Sequence, residues 1–188
     1  MSEQHEHQHG PMPYARAPHL LNPLRSLILS PKALAKRLDL QRDFQVLEVG
    51  PGPGYFSPEI ARSIPAGKLV LVDIQQEMLD MARERLEKQG IANVEYVQGD
   101  TASLRLPGSS FDVVFLVAVL GEVPDRGRCL RELYRLLRPQ GLLSITEQPG
   151  DPDFTPMPEV QILVEKEGFH LEKTYGRGKN YTINFRRA

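Results

Sequence analysis

The chain has 188 residues, of which 40% are hydrophobic and 25% are charged, and this composition is typical of one soluble globular domain. Its formal net charge is −1, from 23 basic and 24 acidic residues, so no overall field attracts nucleic acid or an anionic membrane. Cys129 is the only cysteine, which excludes an internal disulfide and a cysteine-based metal site. Cys129 lies in the predicted helix Arg126–Leu137, where we expect a small, buried thiol, and we predict no metal site.

The first 13 residues, Met1–Pro13, are polar and rich in His, Gln and Glu, and they are expected to form a disordered tail. Residues 14–188 are predicted to form a single domain. The N-terminus has neither the basic segment nor the apolar core of a signal peptide. The longest uninterrupted apolar run, Val113–Leu120, is far too short to cross a bilayer, so we expect a cytoplasmic protein without a membrane span.

Residues 14–40 carry two helix signals and are expected to cover the ligand site. Apolar spacing predicts a short helix over 14–29, and Ser30-Pro31 predicts a second helix that ends near Leu40. Strands and helices then alternate. The predicted strands are Gln45–Val49, Lys68–Val72, Asn93–Val97, Phe111–Val117, Leu142–Thr146, Phe169–Thr174 and Tyr181–Arg186. The predicted helices are Pro58–Ile64, Gln76–Gln89, Arg126–Leu137 and Pro158–Glu167.

Apolar strands that alternate with helices indicate a parallel sheet that is covered on both faces. The last two strands flank a Gly- and Asn-rich connection, Gly176–Asn180, which predicts a hairpin. The expected fold is therefore α/β, a Rossmann-like doubly wound, mostly parallel seven-stranded sheet with an antiparallel C-terminal hairpin strand. A basic group is interpreted as the solvated tip of this hairpin rather than as a phosphate site, and it comprises Arg177, Lys179, Arg186 and Arg187.

The most informative segment is a glycine turn after the first strand. Glycines at 50, 52 and 54 follow Val49, and Ser57-Pro58 predicts an N-cap and the first position of the next helix. Such a turn lets a ligand approach the backbone at the place where open α/β sheets bind nucleotide-like ligands. The spacing G-x-G-x-G differs from the dinucleotide fingerprint G-x-G-x-x-G, since Tyr55 stands where the third glycine would fall. No Gly-Lys-Ser/Thr follows, which excludes a P-loop.

The segment from Glu48 to Gly54 resembles motif I, E/D-x-G-x-G-x-G, of the class I S-adenosylmethionine-dependent methyltransferases. The resemblance continues from about Ser30 to the C-terminus, through an FD-x-(V/I) fourth strand and an LkPGG-like turn in which Gln140 replaces the first glycine. The chain is most similar to the type 11 group, which includes the ubiquinone and menaquinone C-methyltransferases. The N/D-P-P-Y motif of nucleic-acid amino-methyltransferases does not follow the fourth strand, so a nucleic-acid substrate is not expected.

An acid at the end of the second strand, Asp73, can accept hydrogen bonds from both hydroxyls of a ribose, in adenosyl and nicotinamide cofactors alike. The resemblance implies that Asp100 hydrogen-bonds the adenine amino group and that Thr101 faces the ring. An acid inside an apolar strand, such as Glu48, needs a partner, and we expect the cofactor's ammonium, directly or through water, to be that partner. The implied cofactor is S-adenosylmethionine, with S-adenosylhomocysteine as the product. The predicted cofactor-binding residues are Glu48, Gly50, Pro51, Gly52, Gly54, Tyr55, Asp73, Ile74, Met78, Gly99, Asp100, Thr101, Val117 and Ala118.

A sulfonium methyl group is already electrophilic, so such an enzyme needs mainly to align the acceptor behind it and to exclude water. No catalytic triad or metal cluster is required. A hydroxyl, an acidic carbon or a protonated amine would also require a base, and the candidates are Glu122, Glu147 and His19. The expected acceptor is a small molecule whose attacked atom (O, N, C or S) the sequence does not determine. The expected assembly is a monomer or a homodimer.

Two other functions stay open from the sequence. A non-catalytic module that binds S-adenosylmethionine or S-adenosylhomocysteine, or that activates a partner, would carry the same pocket. A nicotinamide-dependent oxidoreductase is opposed by the missing third glycine and by the antiparallel terminal hairpin. Binding assays with both cofactors and a methyl-transfer screen distinguish the three functions.

Overall fold

The computed structural model describes Leu21 and residues 26–188. The predicted tail, most of the helix predicted over 14–29 and the candidate base His19 lie outside these residues. The strands are β1 Gln45–Val49, β2 Lys68–Asp73, β3 Val94–Gln98, β4 Phe111–Val117, β5 Leu137–Glu147, β6 Phe169–Arg177 and β7 Asn180–Arg187. The helices are α1 Pro31–Arg37, α2 Ser57–Ser63, α3 Gln76–Glu87, α4 Arg126–Leu136 and α5 Met157–Lys166, with a 3₁₀ helix at Leu120–Glu122.

These strands form one sheet in the order β3-β2-β1-β4-β5-β7-β6. Neighbours from β3 to β5 are parallel, whereas β7 is antiparallel to both β5 and β6, so six strands run one way and β7 runs the other. The predicted Rossmann-like fold class is confirmed. The strand order reverses between β1 and β4, and the carboxyl ends of such neighbouring strands form the crevice in which α/β sheets bind ligands.

Helices cover both faces of the sheet, because successive side chains of the central strands are apolar and point to opposite faces. Leu47 and Val114 pack with α4 and α5, whereas Val46 packs on the other face with α1, α2 and α3. Cys129 of α4 is 0% exposed, and burial raises the pKa of its thiol to about 11. The predicted buried thiol is confirmed. Within the described part of the chain, every helix is too short or too polar to cross a membrane.

Contacts with β7 and the hairpin turn fix α1 and the residues before it. Arg37 donates to the hydroxyl of Thr182 at 2.7 Å, and the Arg37 carbonyl accepts from the side-chain amide of Asn184 at 2.7 Å. The side-chain amide of Asn180 donates to the carbonyl of Ile28 at 3.1 Å. Ile28 is thereby held where it contributes to the wall of the ligand cavity.

The two predicted helix caps have different outcomes. Ser30 caps α1 as predicted, since its Oγ accepts a hydrogen bond from the N–H of Ala33 at 3.2 Å. The prediction of Ser57 as an N-cap is wrong, because Phe56 occupies that position and Ser57 is the first residue of α2. The Ser57 hydroxyl instead donates to the carboxyl of Glu48 at 2.7 Å. The Ser57 hydroxyl therefore bonds to the buried Glu48 of β1 and does not cap α2.

The predicted basic tip of the hairpin is also wrong. Arg177 ends β6 and Lys179 lies in the turn between β6 and β7, but Arg186 and Arg187 lie at the far end of β7. The antiparallel register carries the second pair back along the sheet, where Arg186 donates to Glu172 at 3.0 Å. The four cations therefore form two separate surface groups.

β5 begins at Leu137 and so extends beyond the predicted start at Leu142. Its pairing with β4 shifts register between Phe111 and Val113, which adds an irregular stretch before the regular ladder. Gln140, in this stretch, has φ of +63°, the region that favours the glycine it replaces. It lies at the amino end of β5, and the ligand cavity lies at the carboxyl end.

Candidate cofactor and acceptor site

A cavity of about 400 Å³ opens at the carboxyl ends of β1 to β5. Its volume is in the range of small-molecule and cofactor sites. Gly54 and Glu147 lie outside its lining, and His19 is outside the described residues. The predicted site residues that line it are Glu48, Gly50, Pro51, Gly52, Tyr55, Asp73, Ile74, Met78, Gly99, Asp100, Thr101, Val117, Ala118 and Glu122. The fold thus brings predicted residues from the ends of four strands, β1 to β4, to one cavity.

The glycine turn after β1 needs glycine for two different reasons. Gly50 has φ of +63°, and a Cβ there would lie 2.6 Å from Cγ2 of Val119, so the turn touches the segment after β4. Gly52 also has positive φ, at +52°. Gly54 has φ of +74°, but a Cβ there would meet Cβ of Ala82 at 3.2 Å. Gly54 therefore serves the packing of the turn against α3, whereas Gly50 and Gly52 expose their backbone to the cavity.

Asp73 at the end of β2 is fixed against the glycine turn. It is 8% exposed, and its carboxylate accepts a hydrogen bond from the N–H of Gln75 at 3.0 Å. Burial raises the pKa of this carboxyl, while the backbone N–H groups of Gln75, Gly52 and Ile74 partly offset the effect. The oxygens of Asp73 are therefore held at the cavity wall before any ligand arrives.

Glu48 is a buried carboxyl in the floor of the cavity. It is 3% exposed, and burial raises its pKa to about 8, partly offset by the hydrogen bond from Ser57. In most molecules the Glu48 carboxyl is therefore protonated at pH 7. A ligand cation beside it would favour the ionised form and drive off the proton.

The turn after β3 adds polar groups to the cavity, and Ile74, which follows β2, adds an apolar face. Asp100 accepts a hydrogen bond from the N–H of Ala102 at 2.8 Å, and the N–H of Gly99 donates to the carbonyl of Asp73 at 3.0 Å. Ile74, beside this turn, is 52% exposed at the cavity mouth. A flat apolar group would find an aliphatic surface here next to hydrogen-bonding atoms.

The opposite side of the cavity is built by the segments after β4 and β5. Ala118 has φ of +55°, a strained conformation for a residue with a Cβ, and its N–H donates to the carbonyl of Thr146 at 2.8 Å. The chain then passes through the 3₁₀ helix, which brings Glu122 to the cavity. Gln148 and Asp151 line the same side from the loop after β5. Sequence reasoning missed both, and the only signal for them was the proline-rich loop itself.

Glu147 lies behind this loop rather than in the cavity lining. It is 0% exposed, and neither of its oxygens has a hydrogen-bond partner among the described residues. Burial and the neighbouring Asp151 raise its pKa to about 8, and Arg126 offsets only part of the shift. The N–H of Thr155 points toward the carboxyl without the geometry of a full hydrogen bond. Glu147 is therefore a buried carboxyl outside the cavity lining, and its role as a base stays a prediction.

Comparison with known proteins agrees with this geometry. The family model described as a methyltransferase domain matches residues 47–145, which is more than half of the chain and spans β1 to β5. The ubiquinone/menaquinone biosynthesis C-methyltransferase UbiE of Escherichia coli is 38% identical over 110 residues. That match covers 57% of this chain and 44% of UbiE, so the chain spans less than half the length of the curated relatives it matches.

Solved structures resemble a larger part of the chain. A SAM dependent methyltransferase from Aquifex aeolicus superimposes with a TM-score of 0.84 at 25% identity, covering 95% of this chain and 100% of that one. The cyclase SpnF superimposes with a TM-score of 0.74 at 18% identity, covering 84% of this chain and 79% of that one, and it shares the fold.

The fold and the cavity together define a Rossmann-like domain with a ligand site at the carboxyl edge of its sheet. The family match covers the strands that build this site. The chain belongs to the methyltransferase domain family, and its predicted membership of the S-adenosylmethionine-dependent methyltransferases is confirmed.

Proposed function

We propose that this chain binds S-adenosylmethionine in the cavity and transfers its methyl group to a small-molecule acceptor, releasing S-adenosylhomocysteine. The observation that carries the proposal is the pairing of the positive-φ glycine turn with the fixed carboxylate of Asp73 on one cavity wall. Backbone that a ligand can approach closely, next to an acceptor for ribose hydroxyls, suits an adenosyl group.

The cofactor lies across the carboxyl edge of the sheet in this proposal. Its ribose hydroxyls donate to Asp73, and its adenine packs on Ile74 beside Asp100. Its amino-acid end follows the glycine turn, where Glu48 receives the ammonium. Each hydrogen bond to a charged group contributes about 1.5–3 kcal/mol. The sulfonium methyl then points toward the β4–β5 side of the cavity, where the acceptor binds.

The chain's own part in the reaction is alignment and exclusion of water. The acceptor's lone pair attacks the methyl carbon, and the carbon–sulfur bond breaks with its electrons going to sulfur. Apolar groups such as Val119, Val123 and Pro149 line the acceptor side, which keeps this step away from bulk water. A carboxylate on that side, Glu122 or Asp151, can take up a proton where the acceptor carries one.

We further propose that a single domain of residues 14–188 acts in the cytoplasm on a small molecule, as a monomer or a homodimer and without nucleic acid. The formal net charge of −1 and the free buried thiol of Cys129 support this setting, because neither suits a polyanionic partner or a disulfide-forming compartment.

Calorimetric titration with S-adenosylhomocysteine and with a nicotinamide dinucleotide tests the cofactor. We expect the first to bind and the second not to bind. Asp73→Asn should weaken S-adenosylhomocysteine binding by about ten- to a thousandfold, because one or both ribose bonds lose their charged acceptor. Asp80→Asn is the matched control, since Asp80 is exposed on α3 and lies outside the cavity lining. Equal affinities of the two variants would remove Asp73 from the site.

Methyl transfer needs its own assay, because a binding module would pass the titration. Release of S-adenosylhomocysteine is measured over a panel of phenol, amine, thiol and carbon acceptors. Tight cofactor binding without transfer to any of them would favour the non-catalytic module over the enzyme.

A further inference from the structure

A serine hydroxyl lies directly behind the acid in the cavity floor. Ser57, the first residue of α2, donates to Oε2 of Glu48 at 2.7 Å, and both side chains are buried. Glu48 belongs to the cavity lining, whereas Ser57 does not. An effect of Ser57 on a bound ligand therefore has to pass through the carboxyl of Glu48.

Core packing of α2 sets the position of this hydroxyl. Ile60 and Ala61 of α2 are fully buried in the cluster that also holds Val46 of β1. The N–H of Ile60 donates to the carbonyl of Phe56 at 3.3 Å, which closes the first turn of the helix. Ser57 is therefore held against β1 by the fold itself, before a ligand enters the cavity.

The glycine turn supplies the connection that makes this contact possible. Gly50 and Gly54 both have positive φ, and Gly54 packs closely against Ala82 of α3. The chain therefore folds back sharply after β1, so that Ser57 returns to Glu48 across a separation of nine residues. The turn that lets a ligand approach the backbone also places a hydroxyl behind the ligand's carboxyl partner.

The hydrogen bond acts on both the orientation and the charge of Glu48. A carboxyl whose Oε2 is held by a fixed donor keeps its second acceptor, Oε1, in one direction. Burial raises the pKa of Glu48 to about 8, and the hydrogen bond from Ser57 opposes that rise, because it is stronger to the ionised form. Ser57 therefore favours the form of Glu48 that attracts a cation.

We infer that Ser57 is a positioning residue for the amino-acid end of the cofactor, because its hydroxyl orients the Glu48 carboxyl and stabilises it in the ionised form that pairs with the ammonium. This inference rests on the proposed function, since it takes S-adenosylmethionine as the ligand. The adenosyl end, which we place at Asp73 and Ile74, does not depend on Ser57.

The inference predicts a dependence on pH whose sign follows from the proton on Glu48. Below a pKa of about 8 the free carboxyl holds this proton, and the arriving ammonium displaces it to solvent. Without Ser57 the ionised form loses a hydrogen bond, so the pKa of Glu48 rises further. The affinity lost is therefore largest at low pH and disappears once the pH exceeds both pKa values.

Other ionisable groups of the cavity wall titrate as well. They are common to the wild-type protein and its Ser57 variants, so their effects cancel when the two are compared at the same pH. Among the described residues, those that line the cavity with Glu48 are Tyr55, Asp73, Asp100, Glu122 and Asp151.

Calorimetric titration of Ser57→Ala with S-adenosylhomocysteine at pH 7 and pH 9 tests the inference. A hydrogen bond to a charged acceptor exceeds one to a neutral acceptor by about tenfold in equilibrium constant. We therefore expect Ser57→Ala to bind about tenfold more weakly than wild type at pH 7, and only about twofold more weakly at pH 9.

Ser63→Ala is the matched control on the same helix. Ser63 donates its hydroxyl to the carbonyl of Glu59 at 2.8 Å and lies outside the cavity lining, so this variant should keep wild-type affinity at both pH values. Ser57→Cys is a second variant of nearly unchanged volume, whose thiol is only a weak donor. It should show the same pH-dependent loss as Ser57→Ala if the alanine variant does not fold.

Two further measurements show whether Ser57 acts through Glu48. In the Glu48→Gln background, which has no carboxyl to ionise, Ser57→Ala should change S-adenosylhomocysteine affinity by less than about twofold. The ligand 5′-methylthioadenosine has the adenosyl end without the ammonium, and Ser57→Ala should bind it as tightly as wild type does.

The outcomes separate this inference from the proposed function. Failure of the wild-type protein to bind S-adenosylhomocysteine would overturn the proposed function and the role of Ser57 with it. Normal wild-type binding overturns the role of Ser57 alone if the loss in Ser57→Ala is absent, is equal at pH 7 and pH 9, or extends equally to 5′-methylthioadenosine.

Discussion

Glu147→Gln should remove a pH dependence of stability that the wild-type protein carries in its core. The side chain is 0% exposed, and its carboxyl has a pKa of about 8 against an ordinary value of 4.5. Between these two values the folded protein keeps a proton that the unfolded chain has lost. The free energy of unfolding therefore falls as pH rises through this window, and it levels off on either side.

The magnitude follows from the size of the shift. One such group costs up to about 1.4 kcal/mol per pH unit, or up to about 4 kcal/mol between about pH 5 and 8. Among the described residues, the charged groups that face Glu147 are Asp151 and Asp153 from the loop and Arg126 from α4, and the uncharged phenol of Tyr181 from β7 lies close by. The carboxylates outnumber the single cation, so they reinforce the effect of burial.

Urea unfolding at a series of pH values measures this difference. The wild-type protein should lose several kcal/mol from pH 5 to 8, and Glu147→Gln should lose less by up to about 4 kcal/mol. The slope with pH is compared rather than the stability at one pH, because the cost of burying the new amide does not depend on pH. Glu95→Gln is the control, since Glu95 is exposed and forms a surface ion pair with Lys68. Parallel slopes for wild type and Glu147→Gln would refute the reasoning.

Three further predictions concern the turn, the cavity floor and the thiol. Gly50→Ala should destabilise the protein more than Gly90→Ala in urea unfolding. Both positions have positive φ, but among the described residues only the Cβ at 50 would clash with a side chain, that of Val119. Equal losses of stability would contradict this clash. Binding of S-adenosylmethionine at pH 7 should release about one proton from Glu48, seen by calorimetry in buffers of different ionisation enthalpy, and Glu48→Gln should abolish that release. Cys129 should react with a thiol reagent only as fast as the protein unfolds, because its thiol is buried. Rapid labelling of the native protein would contradict that burial.

The sequence predicted the parts of the fold that depend on local pattern. The bounds of β1 and β4 were predicted as observed, because apolar runs between turn residues define strands without help from the rest of the chain. The glycine turn and Asp73 could also be placed, since parallel strands bring their carboxyl ends to one edge. Most of the predicted cofactor residues therefore line one cavity, and their contacts with the cofactor remain a prediction.

Contacts between distant residues were not predictable in the same way. The hydrogen bond from Ser57 to Glu48 joins two elements through the fold, and no local signal distinguishes it from a helix cap. Arg186 was assigned to the wrong end of the hairpin because the register of β7 decides its position. Asp151 was missed because a proline-rich loop has no periodicity from which its packing can be inferred.

The structure of the complex with S-adenosylhomocysteine tests the central claim most directly. We predict that the ribose hydroxyls lie within hydrogen-bond distance of Asp73, with the adenine on Ile74 and the amino-acid end beside Gly50. An empty cavity at saturating ligand, or a ligand bound anywhere else on the protein, would contradict this placement.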